Sequence, residues 1–176
     1  IGLVYSEQGA YNKALDNYYD ALKFANSKNL NSIYNNIGII LEELGSNDKA
    51  LSYFQKSIVL SKANGDEIAL SDCYNNMGNL YLSTKEYSEA EKYFKLSLEL
   101  RLKHGNKNGL ASTYSNFGTL YYTLKKFDLA HEYYNKALPI AIEIGDKKEI
   151  SINKIHIGLI NIEFKFYFYW LHGEIK

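Results

Sequence analysis

Gly38, Gly78, Gly118 and Gly158 stand forty residues apart, and Gly2 precedes the series by thirty-six. A fixed period of about 20–50 residues marks a repeat array, in which one supersecondary unit recurs along the chain. The surroundings of each glycine recur with it. Tyr34, Tyr74 and Tyr114 lie four positions before, and Ile1, Ile37, Met77, Phe117 and Ile157 one before. Tyr5, Leu41, Tyr81 and Tyr121 lie three after, with Asn161 in the fifth copy. Ala14, Ala50, Ala90 and Ala130 follow at twelve, Tyr18, Phe54, Phe94 and Tyr134 at sixteen, and Leu22, Ile58, Leu98 and Leu138 at twenty.

These offsets are helical. Tyr74, Met77, Gly78 and Tyr81 follow i, i+3, i+4, i+7, and Ala90, Phe94 and Leu98 follow i, i+4, i+8, so each set is one stripe of a helix. A break over Ser83–Glu86 separates the two, with Gly45 and Gly9 marking the same point in earlier copies. A second break holds Gly65, Gly105 and Gly145, with Asn29 in that place after the first repeat. Glycine is favoured just past a helix end because it accepts a left-handed conformation. Asp66 and Asp146, next in line, are expected to cap the following helices. The chain is therefore expected to be all-α, built of antiparallel helix pairs. The short first interval lacks four residues, about one helical turn. It therefore shortens a helix without rotating its apolar face. A glycine inside a helix costs about 1 kcal/mol against alanine, so close approach of the second helix, through Ala90 or its neighbours onto Gly78, is the expected compensation.

The motif Gly-x-x-Tyr followed by Ala-x-x-x-Phe resembles the tetratricopeptide repeat (TPR). The likeness covers residues 1–144 well and 145–164 in part. The forty-residue period, longer than the usual repeat, is similar to the TPRs of spindle-orientation adaptors and of bacterial quorum-peptide receptors and regulators. The resemblance implies a right-handed superhelical solenoid whose first helices line a concave groove for an extended peptide or a partner helix. On this reading residues 1–164 form the array, with repeats near 1–29, 30–65, 66–105 and 106–145, a degenerate fifth over 146–164, and a C-terminal segment over 165–176.

The 20 basic and 20 acidic residues cancel, which argues against a nucleic-acid surface, since that needs a basic stripe. No run of about 18 apolar residues offers an integral membrane span. The single Cys73 cannot form an intrachain disulfide and reads as a packed thiol. The 17 tyrosines fall mostly at repeat positions and read as packing with hydroxyls at the surface. The chain opens at Ile1 inside a repeat, as a piece of a longer protein would. The compartment is open, with the cytoplasm preferred.

A recurring amide marks the first helices. Asn36, Asn76 and Asn116 lie two before the glycines, with His156 fourth; Asn35, Asn75 and Ser115 lie three before. Asparagine is a poor helix former because its amide competes for the backbone, so its repetition needs a cause. One reading is a ladder gripping a peptide backbone, since an amide both donates and accepts. The other is a hydrogen bond between neighbouring repeats. The face continues in the rows Asn35–Ile39–Glu42, Asn75–Asn79–Leu82 and Ser115–Thr119–Tyr122, with Glu43 beside the first. The candidate peptide-binding surface is thus polar, acidic at Glu42 and Glu43, and more apolar towards Tyr122. It lacks the lysines and arginines of a carboxylate clamp, and a segment carrying Lys or Arg at one end fits it better.

Catalytic motifs are not found. His104, His131, His156 and His172 are scattered without metal-ligand spacing, and no phosphate-cradling glycine loop or nucleophile–base set occurs. The expectation is a non-enzymatic interaction scaffold without metal or cofactor, or the sensory part of a larger bacterial kinase or transcription regulator. Phe164–Trp170 carries six aromatics in seven residues. It is open whether this stretch caps the last helix pair, mediates self-association or interdomain contact, or touches a membrane interface. Trp170 stands where alanine is expected, so the fifth pair is expected to splay.

Overall fold

The computed structural model describes residues 10–26, 29–165 and the backbone of 166–171. Gly2, Tyr5, Gly9, His172 and the side chains of Phe166–Trp170 lie outside the described residues. The described residues form eight α-helices and no strand: α1 (Tyr11–Leu22), α2 (Leu30–Glu43), α3 (Asn47–Asn64), α4 (Glu67–Ser83), α5 (Tyr87–His104), α6 (Lys107–Thr123), α7 (Phe127–Ile144) and α8 (Lys147–Leu171). They divide into two compact units, one ending at Leu100 and one beginning at Arg101, so the division crosses α5.

The expected break over Ser83–Glu86 lies between α4 and α5. Gly65, Gly105 and Gly145 have φ of 66°, 63° and 72°, the left-handed turn that glycine adopts without a Cβ penalty. After Gly65 the Asp66 N–H returns to the Ser61 carbonyl at 2.9 Å and closes α3. The Asp66 carboxylate then accepts from the Ala69 N–H at 3.0 Å and opens α4. Asn106 does the same for the Gly109 N–H, and Asp146 for the N–H groups of Lys148 and Glu149. One helix ends and the next begins within two residues, which holds consecutive helices close. Asn29 departs from this pattern. Its φ is −108° at the start of α2, and it exchanges side-chain to backbone bonds with Asn26. The short first interval is correspondingly not one lost turn. α1 has 12 residues against 18 in α3, and α2 has 14 against 17 in α4. Both helices are trimmed and a longer connection joins them.

The mid-helix glycines receive rings. A Cβ on Gly38 would lie 2.5 Å from Phe54 Cε1, one on Gly118 would lie 2.6 Å from Tyr134 Cδ1, and one on Gly78 would collide with the Phe94 ring. The aromatic sixteen positions on fills the hollow, and at Gly78 the three atoms nearest a Cβ all belong to the Phe94 ring. Phe54, Phe94 and Tyr134 are wholly buried. Two further ties recur. Ser57 donates to the Asn31 carbonyl and Ser97 to the Ser71 carbonyl, each at 2.8 Å, fastening second helix to first. Tyr34–Tyr53, Tyr74–Tyr93 and Tyr114–Tyr133 ring pairs lie 5.7, 5.9 and 6.1 Å apart, within the favourable range for aromatic pairs.

At the C-terminal end α8 runs unbroken to Leu171. The expected splayed pair is therefore not formed, because no turn residue interrupts the helix after Gly158. Nothing described lies within 4 Å of a Cβ placed there. Ile155, Leu159 and Ile162 are exposed on this uncovered helix, while Ile160 is fully buried. Phe164 meets His131 of α7 edge-on at 6.1 Å.

The same substitution at two glycines should act with opposite sign. Gly78→Ala forces the Phe94 ring to move and should lower unfolding free energy by about 1–3 kcal/mol. Gly158→Ala meets open space and should raise it by about 0.5–1 kcal/mol. Urea titration followed by circular dichroism reads both. Pro139 stands inside α7 at an exposed position, where proline costs a helix about 3 kcal/mol. Pro139→Ala should therefore stabilise the protein by about 2 kcal/mol, allowing for the freer unfolded chain.

Candidate functional site on the first helices

The four first helices are α2, α4, α6 and α8, and their side chains divide by depth. In the N-terminal unit Asn35, Asn36, Ile39, Glu42, Asn76, Asn79 and Leu82 are half-buried, Glu43 is exposed and Asn75 is buried. In the C-terminal unit Asn116, Thr119, Tyr122 and His156 are half-buried and Ser115 is buried. Half-buried polar groups on a helix face are oriented by their neighbours yet open to a ligand.

Some of these groups link helices. Asn76 Nδ2 donates to Asn35 Oδ1 at 3.0 Å, from α4 to α2. This is the inter-repeat bond that the asparagine spacing allowed. Ser115 Oγ lies 2.7 Å from Glu149 Oε2 and 3.0 Å from Asn153 Oδ1, joining α6 to α8. An amide carries two N–H donors and an oxygen with two acceptor sites, so a single bond from Asn76 to Asn35 leaves capacity for a partner. His156 stacks on Tyr134 at 4.8 Å and meets Tyr122 edge-on at 5.7 Å. Its Nδ1 lies 2.9 Å from the Ile152 carbonyl. Thr119 Oγ1 sits 3.1 Å from the Tyr134 hydroxyl. That hydroxyl, buried, is pushed up to about 12.

Three participants were missed by the sequence reading: Asn31, Ser57 and Asn153, all buried. Asn31 Nδ2 reaches Ser61 Oγ and Asp66 Oδ2, each at 3.4 Å. Ser57 Oγ lies 2.8 Å from the Cys73 sulfur. The only signal available was the period itself, since Ser97 stands forty residues after Ser57. Cys73 is buried, and burial pushes its thiol up to about 11, which keeps it protonated and unreactive. Glu42 is held near neutrality: burial first, and the charge of Glu43 second, raise it to about 7. Glu43 itself accepts from the Tyr11 hydroxyl at 3.3 Å. Among the described residues no group of three metal-ligating side chains converges, and no helix is long and apolar enough to cross a membrane.

The family model for the tetratricopeptide repeat matches residues 29–103 and 75–143, more than half of the chain. The chain belongs to the tetratricopeptide repeat family. A curated relative is the photosystem I assembly protein Ycf3 of Rippkaea orientalis (strain PCC 8801 / RF-1), 44% identical over 61 residues. That match covers 34% of this chain and 35% of the relative, so the chain spans about a third of its length. Among solved structures, the signal transduction ATPase with numerous domains and a tetratricopeptide repeat sensor from Pyrococcus horikoshii aligns with a TM-score of 0.83 at 21% identity. That alignment covers 95% of this chain and 26% of that one. Aspartyl phosphate phosphatase F from Bacillus subtilis aligns at 0.79 and 20% identity, over 98% of this chain and 48% of that one. Both show the fold, an all-α helical repeat of TPR type.

Glu42 gives this TPR face a pH signature. Its folded value of about 7 exceeds the usual carboxylate value of 4.5, so the unfolded chain gives up the proton first. The associated stability is complete below about pH 4.5 and is lost as the pH rises to about 7. Glu42→Gln should therefore leave urea stability unchanged at pH 4 and increase it at pH 8. Equal gains at both pH values would show that the carboxyl is not desolvated.

Proposed function

We propose that this chain is a non-catalytic interaction module whose first-helix faces bind an extended peptide or partner segment. TPR proteins mediate protein–protein interactions, and the finer reading concerns where and how. The observation that carries it is the half-buried Asn36, Asn76 and Asn116, each two residues before a ring-filled glycine. Amides at that depth can bond an extended backbone without demanding particular side chains. The neighbouring residues then set preference: Glu42 and Glu43 in the N-terminal unit favour a basic segment, and Tyr122 in the other favours an apolar one. The protonated, buried Cys73 thiol offers no nucleophile. A second use proposed for the chain is self-association through the stretch Phe164–Trp170, supported by the exposed Phe164 and Ile162 on α8.

A regulatory reading has support from the Pyrococcus horikoshii neighbour, whose TPR part is described as a sensor. There the same surface would bind a signal segment or an adjacent domain and shift a conformational equilibrium. Both readings need a ligand on the first helices.

An array of extended twelve-residue peptides should bind the wild-type chain. An Asn36→Ala, Asn116→Ala double variant should bind the same peptides about tenfold or more weakly, with helical content retained. Retention of every peptide at full affinity by the double variant would remove the amides from recognition. Preference for acidic C-termini would overturn the basic-segment reading.

A further inference from the structure

A cavity of about 200 Å³ opens among α2, α3 and α4 in the N-terminal unit. Ser32, Asn35 and Asn36 of α2 and Asp72 of α4 line it, with Ser57 and Cys73 beneath them. The rim residues Ser32, Asn36 and Asp72 are open to solvent in part, while Ser57 and Cys73 are buried. Small-molecule sites commonly span about 300–1,000 Å³, so this cavity suits a single side chain. Its lining includes one carboxylate and neither lysine nor arginine. The charge therefore favours a cation. A divalent metal is disfavoured, because among the described residues no group of three metal-ligating side chains exists.

The floor is polar but already engaged. Ser57 donates to the Asn31 carbonyl and sits beside the Cys73 sulfur. The rim carries the Asp72 carboxylate and the oxygens of Asn36, Ser32 and Asn35, the last of which accepts from Asn76 and has a second acceptor site. An ammonium carries three donors and a guanidinium five. A cationic head at the rim can thus meet a carboxylate and amide oxygens together, while its aliphatic stem lies along the helix face.

We propose that this cavity is a subsite for the lysine or arginine side chain of a bound peptide, with Asp72 its charge partner and Asn35 and Asn36 its amide acceptors. The proposal rests on the reading of the first-helix faces as a peptide site and names the side chain that one part of that site selects. A peptide-borne cation is favoured over a free amine, because the half-buried Asn36 stands both at the rim and in the amide register proposed to hold a backbone.

The probes are acetyl-Gly-Ala-Ala-Xaa-Ala-Ala-Gly-amide peptides with arginine, lysine, norleucine or glutamate at Xaa, titrated into the full chain and followed by NMR. The arginine and lysine peptides should shift the signals of Asn36 and Asp72 and bind about tenfold more tightly than the norleucine peptide. Asp72→Asn should erase the preference for arginine and lysine over norleucine, with helical content retained. N-acetylarginine methylamide alone should bind more weakly than the arginine peptide, and equal binding would assign the cavity to free cations. If all four peptides bind alike, or Asp72→Asn keeps the preference, the subsite is wrong while peptide binding stands. If none of the peptides binds on the first helices, the subsite falls together with the peptide reading.

Discussion

A ring seated on a glycine governs this protein. At Gly38, Gly78 and Gly118 a second-helix aromatic occupies the space where a Cβ would be. A mid-helix glycine costs about 1 kcal/mol against alanine, while full burial of a phenylalanine side chain contributes about 1.5–3 kcal/mol. The balance favours the lock, and it also sets separation and rotation. With the ring in place, Ser57 and Ser97 reach carbonyls of the first helices at the same distance, and tyrosine pairs form beside the ring in successive repeats. Wherever the lock is closed, the residue just before the glycine is fully buried, as at Ile37, Met77 and Phe117. Ile157, beside the open Gly158, is only half-buried.

The lock also divides labour among the amides. Of the positions three before the glycine, Asn35 accepts from Asn76 of α4 and Ser115 bonds Glu149 and Asn153 of α8, and Asn75 and Ser115 are buried. Positions two before remain half-buried at Asn36, Asn76 and Asn116. Joining helices and facing a ligand are not exclusive for an asparagine, because its amide has several bonding sites. Asn76 holds Asn35 through one N–H and keeps the rest of its polar edge. Such a bond narrows the side chain's rotamers before any partner arrives, which lowers the entropy lost when one binds.

Much of this architecture could be read from spacing. The forty-residue period located the breaks, the left-handed glycines and the capping Asp66 and Asp146. Spacing assigns residues to a face but not to an opposite number. It therefore offered Gly78 Ala90 or its second-helix neighbours without choosing among them, and the structure seats Phe94 there. The tyrosines at 53, 93 and 133 share the period but were hidden among many aromatics. Asn29 was assigned by position alone, and its exchange with Asn26 depends on a connection longer than two residues. The continuity of α8 had a legible cause, since Glu163–Phe166 contains no glycine, proline or asparagine to turn the chain. The raised value of Glu42 and the cavity under Asn36 arise from burial by several helices, and no local pattern encodes them.

The residues just beyond each glycine differ in chemistry from one repeat to the next. Four positions after the glycine stand Glu42, Leu82, Tyr122 and Ile162. One position after it stand Ile39, Asn79, Thr119 and Leu159. In the three repeats with a ring-filled glycine these side chains are half-buried, whereas Leu159 and Ile162, beside the open Gly158, are exposed. At 3.6 residues per turn, the positions one and four after the glycine lie about 100° and about 40° from it around the helix. A substitution such as Glu42→Gln can alter charge and titration without touching the ring at Gly38, whereas filling that glycine would displace the ring. The frame supplies a constant backbone geometry, while the chemistry at these two positions changes from repeat to repeat.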